Sequence, residues 1–319
     1  MPLAILLSAE EWMARFGDLR KSTVVTIGNF DGVHLGHQKI LRHVRDRARS
    51  ANLMGAVLTF YPHPARVLRP AEAPSLLATL EQRLAAIEAA GIDAALVVPF
   101  DATLAQVSAE DFVRRFLVET MRAQAVLVGA DFRFGHRQAG NVTLLGELGR
   151  SSGFEVEVMA PVVENGVVVS STAIRQAISE GRVEDARCML GRPYALAGTI
   201  QSGTGQGRKL VVATLNLATE QEALPKTGVY ATEAVVEGKV YRAATNVGVR
   251  PTFNGARVTI ESHLFDFNEN LTSGKMEVRF WTRLRDERKF SGPTELREQV
   301  LQDIEQAKEY FRESERKKT

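Results

Sequence analysis

His34 and His37 stand three residues apart around Gly36, in a segment that reads VVTIGNFDGVHLGHQ over Val24–Gln38. The pattern predicts a buried strand ending at Ile27, a glycine-rich turn, and a helix starting near His34–Gly36. A strand, a turn and a helix N-terminus in that order gather backbone N–H groups and the positive helix end at one point, which makes an anion site. Residues three apart share one face of a helix, so both imidazoles can donate to phosphate oxygens held there. Gly36 lets the phosphates approach the backbone closely. Such a site stabilises charge on a phosphorus attacked in line by position and electrostatics, with no protein nucleophile. His34 and His37 are therefore candidate catalytic groups, and Gly28, Asn29, Phe30, Asp31 and Gly36 candidate nucleotide contacts. Two other readings stand beside this one: an exposed helix start, and a metal site that would need a third ligand such as Asp31.

Two further segments fit the same chemistry. Val169–Arg175 reads VSSTAIR, and a helical pattern follows it. Ser170, Ser171 and Thr172 are good N-cap residues. Arg175 is expected in the first turn, where the helix dipole disfavours a cation unless an anion binds between them. A simple capped helix with an exposed arginine is the plainer reading. Gly129–Gly135 reads GADFRFG at the end of a predicted strand, where open α/β sheets bind ligands. There Asp131 and the alternating Phe132 and Phe134 flank Arg133. The two rings are either core or a stacking surface for a flat ligand. Later, the spacing Gly203-x-Gly205-x-Gly207 could cradle phosphates or be an ordinary loop.

The elements that must position these groups fall into two sets. Short β-branched runs at Val24–Ile27, Ala56–Phe60, Ala94–Val98, Ala125–Val128 and Phe154–Met159 alternate with helical stretches such as Gln38–Ala51 and Glu81–Ala89. Ser8 with Glu11 and Ser108 with Asp111 mark helix starts. This alternation predicts a Rossmann-like α/β domain with a parallel sheet. After Gly191 the pattern changes to strands at Tyr194–Ile200, Val229–Val236, Lys239–Asn246, Thr259–Leu264 and Met276–Phe280. Gly238 sits in a Glu-Gly hairpin connection. An antiparallel β-barrel is expected, closed by an amphipathic helix over Pro293–Phe311 with Leu296, Val300, Ile304, Ala307 and Phe311 as its apolar stripe. The domains are expected at 1–187 and 188–319.

The motifs GNFDGVHLGH, FYPHP (Phe60–Pro64), GADFRFG and SSTAIR, in this order, resemble those of the bacterial bifunctional riboflavin kinase/FAD synthetases. The resemblance covers nearly the whole chain. It implies that the first half is an FMN adenylyltransferase of the HxGH superfamily. His34 and His37 match the HxGH motif, Ser171, Thr172 and Arg175 the phosphate-binding motif, and Asp131 and its neighbours the flavin-side loop. In the second half GVY, NVGVRPTF (Asn246–Phe253), ESHLFDF and FWTRLRDERKF match the kinase module. Here the resemblance implies Thr214 and Asn216 on Mg·ATP, Glu261 as general base for the ribityl hydroxyl, and Arg250 on the flavin. A hydroxyl is a suitable hard ligand for Mg²⁺ beside phosphates, and a carboxylate near the acceptor hydroxyl can take its proton. One departure stands out. Where the family usually has Gly-Phe-Pro-Thr-Ala-Asn, this chain has Val211-Val212-Ala213-Thr214-Leu215-Asn216. Ala130 likewise replaces an often acidic residue. Two expectations result: synthesis of FMN from riboflavin and of FAD from FMN, with Mg²⁺ and ATP in both steps; or FMN adenylylation alone, with the barrel a non-catalytic flavin-binding or regulatory module.

Composition sets bounds on the rest. The 319 residues are 45% hydrophobic and 24% charged, with a formal net charge of +2, so bulk charge points to neither nucleic acid nor membrane. A single cysteine, Cys188, forms no internal disulfide and suits a reducing compartment. The start MPLAILLSAEEW has no basic flank before its short apolar run. No apolar run reaches the roughly 18 residues of a membrane span. The expectation is a soluble, cytoplasmic enzyme acting on riboflavin, FMN and ATP, at most a weak homo-oligomer.

Overall fold

The computed structural model describes residues 2–17, 22–201, 214–252, 255–269 and 271–316, and, within strands, backbone only for 250–257. The chain divides into two compact units, Met1–Ser171 and Thr172–Thr319.

The first unit carries β1 (Ala4–Leu6), α1 (Ala9–Phe16), β2 (Thr23–Ile27), α2 (Leu35–Ser50), β3 (Met54–Tyr61), α3 (Pro64–Leu68), α4 (Leu80–Ala89) and β4 (Ala94–Pro99). There follow α5 (Ala109–Phe112), which runs on into a π-helical segment Val113–Thr120, then β5 (Ala123–Gly129), α6 (Val142–Ser152), β6 (Glu155–Met159), and a small hairpin of β7 (Val163–Glu164) and β8 (Val167–Val168). Six strands form one parallel sheet in the order β1-β4-β3-β2-β5-β6. The alternating side chains of each strand go to opposite faces. Val25, Leu58, Leu96 and Val126 pack under Trp12, Phe112, Leu117 and Leu145 on one side. Val24, Val57, Ala95 and Leu127 pack under Leu41, Val44, Leu84 and Ile87 on the other. Both faces are covered, so the central strands read as continuous apolar runs. The chain winds outward from β2 in one direction through β3 and β4, and in the other through β5. The switch point therefore lies between β2 and β5, and open sheets bind ligands beyond the carboxyl ends there.

Local signals set the helix starts. Ser8 accepts from Glu11 N at 3.2 Å and Ser108 from Asp111 N at 3.0 Å, as their spacing predicts. The Glu11 carboxylate accepts from Leu7 N, one residue before the cap. Thr79 and Gln82 form a full capping box on α4, a signal the sequence reading passed over.

The second unit begins within α7 (Ser171–Ser179) and continues through α8 (Val183–Leu190), β9 (Tyr194–Gln201), β10 (Leu215–Ala218), β11 (Gly228–Val236), β12 (Lys239–Thr252), β13 (Gly255–Leu264), β14 (Lys275–Arg285) and α9 (Pro293–Arg316). Apart from Ser171, α7 and α8 group by compactness with the barrel, whereas the expected boundary at 187/188 placed α7 and most of α8 with the first domain. Glu184 on α8 accepts hydrogen bonds from Thr282 Oγ1 and Arg283 N on β14. The strands close into an antiparallel barrel in the order β10-β13-β12-β11-β14-β9. Glu237 and Gly238, both at positive φ, make the tight β11–β12 hairpin in which Val236 pairs with Lys239. Inside, Thr232, Thr245 and Ser262 are fully enclosed and hydrogen-bonded in series at 2.6 and 2.8 Å. Helix α9 lays Ile304, Ala307 and Phe311 on Ala231, Ala244 and Phe265.

A bidentate pair fastens α9: Arg285 Nε and Nη2 on β14 each donate to Asp303 at 2.7 Å. The Asp303 side chain is 5% exposed and that of Arg285 20%. Removing one partner of such a pair leaves a buried charge unmatched. Asp303→Ala is expected to cost the barrel about 3 kcal/mol in urea unfolding; a loss under about 1 kcal/mol would show that the pair does not fasten the helix.

Candidate active sites

The first site grows out of the end of β2. Gly28 N still donates to Leu58 O at 3.1 Å, keeping the chain on the sheet. The turn then takes left-handed backbone at Phe30 (φ 51°), Gly32 (φ 79°) and Val33 (φ 41°). Val33 is β-branched and such a φ is costly, on the order of 1–3 kcal/mol, so neighbouring contacts must hold it. Phe30 is buried and meets the His37 ring at 5.1 Å. The buried Asp31 carboxylate accepts from Leu77 N and Ala78 N at 3.0–3.2 Å. Its visible work is to tie the turn to the segment before α4.

His34 is the N-cap of α2, and its Nδ1 accepts from His37 N at 3.4 Å. In the neutral ring the proton then sits on Nε2. The two imidazoles stack with centroids 3.7 Å apart. A Cβ on Gly36 would lie 3.1 Å from the His34 ring, so glycine is what lets the rings stack at the helix start. His37 is half-buried overall, yet its Nδ1 is enclosed and has no hydrogen-bond partner. Burial, and secondarily the neighbouring His34, holds its pKa well below the usual histidine value. At neutral pH the free site thus presents an uncharged His37 ring, which can donate to a phosphate oxygen. Ser171 Oγ donates to Asp31 O at 2.9 Å, bringing the start of the SSTAIR segment to the turn. Thr172 is exposed and Arg175 half-buried; both count with the second unit. Arg175 is the fifth residue of α7, so it lies just beyond the first turn in which it was expected. Among the described residues, no group of three His, Cys, Asp or Glu is placed to hold a metal.

Gly28 and Asn29 also border a cavity of about 830 Å³ over the carboxyl ends of β2, β3, β4 and β5. Its walls include Phe60, Pro64, Phe100, Phe112 and Phe132, and its cations are Arg69, Arg133 and Arg137, beside the imidazole of His136. A flat aromatic ligand with an anionic tail matches that chemistry. Phe132 is half-buried and stacks on Phe134 at 5.4 Å. Phe134 is 6% exposed and packs on Phe112, so it is chiefly a core ring that backs Phe132. Asp131 is exposed beside Gly129.

The second site lies on the outer face of the barrel. Register places Glu261 on β13 directly between Asn216 on β10 and Asn246 on β12. Thr214, Asn246, Glu261 and His263 line a cavity of about 350 Å³ with Arg285, Arg288 and Phe290, and the α9 residues Leu296, Val300 and Ile304 also border it. Thr214 and Asn216 offer neutral oxygen donors, a set that fits a divalent cation whose remaining charge is met by phosphates. Leu215 is buried and pairs with Ser262 on the interior face. The change from the family's alanine is therefore a matter of barrel packing, while Asn216 keeps its outward place. Gly203, Gly205, Gly207 and Val211–Ala213 lie outside the described residues, as does the side chain of Arg250 on β12. Asn246 was within a quoted motif but had no role assigned, because only strand register sets it beside Glu261.

The FAD synthetase family model matches residues 18–173 and the riboflavin kinase family model residues 190–311. A Haemophilus influenzae bifunctional riboflavin kinase/FMN adenylyltransferase is 36% identical over 90% of this chain and 94% of the relative. The chain belongs to this family. Proteins of the same description from Bacillus subtilis and from Buchnera aphidicola are 36% and 34% identical, over 91% and 92% of this chain and 92% and 95% of theirs. A solved structure described as a macrolide-efflux protein from Streptococcus pneumoniae shares the fold, with a TM-score of 0.82 and 29% identity over 91% of this chain and 94% of that one. Among the described residues of this chain no helix is long and apolar enough to cross a membrane. The family's two activities, riboflavin kinase and FMN adenylyltransferase, correspond to the two matched segments.

The lowered pKa of His37 has a signed consequence. As pH falls through the ordinary value of 6.5, the unfolded chain takes up a proton that the folded ring refuses. Stability is therefore lost from there downward, and the effect is absent at higher pH. His37→Gln should shrink the loss of thermal stability between about pH 7.5 and about pH 5.5. The same loss in both proteins would mean that the ring titrates normally.

Proposed function

We propose that the first unit joins FMN to AMP and the second phosphorylates riboflavin, with functional domains at 1–187 and 188–319. The observation that carries this reading is the stacked His34–His37 pair at the mouth of the α2 N-terminus, next to an aromatic cavity that shares Gly28 and Asn29 with the phosphate turn.

In the adenylyl transfer, FMN lies in the aromatic cavity against Phe132, with Asp131 and Phe134 at that loop. A phosphate oxygen of FMN attacks the α-phosphorus of ATP in line, and pyrophosphate leaves. His34 and His37 donate to the oxygens that gain charge, and Arg175 adds a cation. Gly28, Asn29, Phe30, Gly36, Ser171 and Thr172 orient the phosphates through the turn and helix starts. Asp31 serves by fixing that turn.

In the kinase reaction the terminal ribityl hydroxyl of riboflavin lies beside Glu261, which takes its proton as the oxygen attacks the γ-phosphorus. ADP leaves. Thr214 and Asn216 hold the metal-bound nucleotide, and Gly203, Gly205, Gly207 and Arg250 are assigned to phosphate and flavin. Mg²⁺ would neutralise phosphate charge at both sites. The chain is read as cytoplasmic, acting on small molecules without nucleic acid or membrane, and at most weakly self-associating.

Two variants separate the sites. His37→Ala should lower FAD formation by roughly 10²-fold or more and leave FMN formation intact. Glu261→Ala should lower FMN formation by roughly 10²–10⁴-fold and spare FAD formation from supplied FMN. Equal loss of both activities in either variant would sink the two-site assignment.

A further inference from the structure

A loop that faces phosphates must point its carbonyl oxygens elsewhere, because a carbonyl dipole aimed at an anion repels it. Along the turn after β2 four carbonyls accept hydrogen bonds from the protein itself. Asn29 O accepts from Arg83 Nη1 at 2.6 Å. Phe30 O accepts from Val33 N at 3.1 Å. Asp31 O accepts from Ser171 Oγ at 2.9 Å, and Val33 O from Gln38 Nε2 at 2.9 Å. Of the three side chains, only Ser171 was itself a candidate phosphate contact. Arg83 reaches in from α4, and Gln38 from the first turn of α2.

Arg83 is the more telling of the two. It is 3% exposed, and its enclosed Nε has no hydrogen-bond partner. Burial lowers its pKa, with Asp31 and Tyr61 opposing that shift. An apolar residue of the same length would fill the space without the cost of burying a charge. What the guanidinium supplies and an apolar residue does not is a charged donor to the Asn29 carbonyl and a positive charge beneath the turn. The Asn29 side chain is held as well, by His63 Nε2 at 3.2 Å.

We propose that Arg83 and Gln38 are positioning residues for adenylyl transfer: they hold the carbonyls of Asn29 and Val33 away from the nucleotide, so that neither carbonyl dipole opposes the phosphates. This rests on the reading of the first unit as the adenylyltransferase. Neither residue touches the reacting atoms, so their effect follows the number of phosphates on the ligand.

The test uses the full chain with Arg83→Met and, separately, Gln38→Leu. Pyrophosphate and adenosine binding are measured by calorimetry, alongside FAD formation from FMN. In each variant pyrophosphate affinity and kcat should fall about tenfold or more, while adenosine affinity and the KM for FMN move less than about threefold. Parallel loss of adenosine and pyrophosphate affinity in both variants would reduce the two residues to fold supports and overturn the proposal. Unchanged pyrophosphate affinity in Gln38→Leu and in Arg83→Met would overturn it too. If Arg83→Met does not fold, Gln38→Leu decides alone. A wild-type chain that binds no pyrophosphate would overturn the adenylyltransferase reading itself, and this proposal with it.

Discussion

A buried parallel strand that ends in a left-handed turn is the constraint on which the first unit depends. β2 is hydrogen-bonded on both sides, to β3 and to β5, and all five of its residues are buried. It cannot shift register without moving both neighbours. The turn that follows holds Phe30 and Val33 at positive φ, so it stores strain at the start of α2, beside the stacked histidines. Each nearby contact works against relaxation of that turn. Asp31 is bound to the Leu77–Ala78 amides, Phe30 packs on His37, and Ser171 closes on Asp31 O. The histidines are placed by the same geometry. One caps α2, and the other lies against it with a nitrogen enclosed and unpaired.

The barrel solves a different problem by different means. Among the described residues its site is set by strand register. Three adjacent strands place Asn216, Glu261 and Asn246 side by side on the outer face, while Leu215, Ser262 and Thr245 face inward. A one-residue slip would exchange the two sets. The buried hydroxyl series of Thr232, Thr245 and Ser262 penalises such a slip, since it would leave polar groups unmatched or expose the interior. The Arg285–Asp303 pair then holds α9 beside the same cavity.

Much of this was legible in the sequence for physical reasons that can be named. The continuous β-branched runs and the helical stretches between them gave the sheet and helices of the first unit, and the α9 stripe of Ile304, Ala307 and Phe311 is buried as its spacing required. The histidine pair was legible because strand, turn and helix start are local. Other features were not. β10 is four residues long and sits outside any clear run. The role of Phe134 was open until the sheet placed it under Phe132 against Phe112. Arg83 fell within the predicted helical stretch Glu81–Ala89 with no role assigned, because its partner, the Asn29 carbonyl, is distant in sequence. Asn246 depended on long-range pairing in the same way. The change to Leu215 looked like damage to a binding motif, but the side chain belongs to the barrel interior.

The central claim is that one chain holds two separate sites that act in sequence on a flavin. The most direct measurement is a time course of the purified chain with riboflavin, ATP and Mg²⁺, its flavins separated by chromatography, beside a second tube started from FMN. The account predicts FMN and then FAD in the first tube, and FAD without delay in the second. FAD in the second tube with no FMN ever formed in the first would contradict it, leaving an adenylyltransferase beside a barrel that does not phosphorylate.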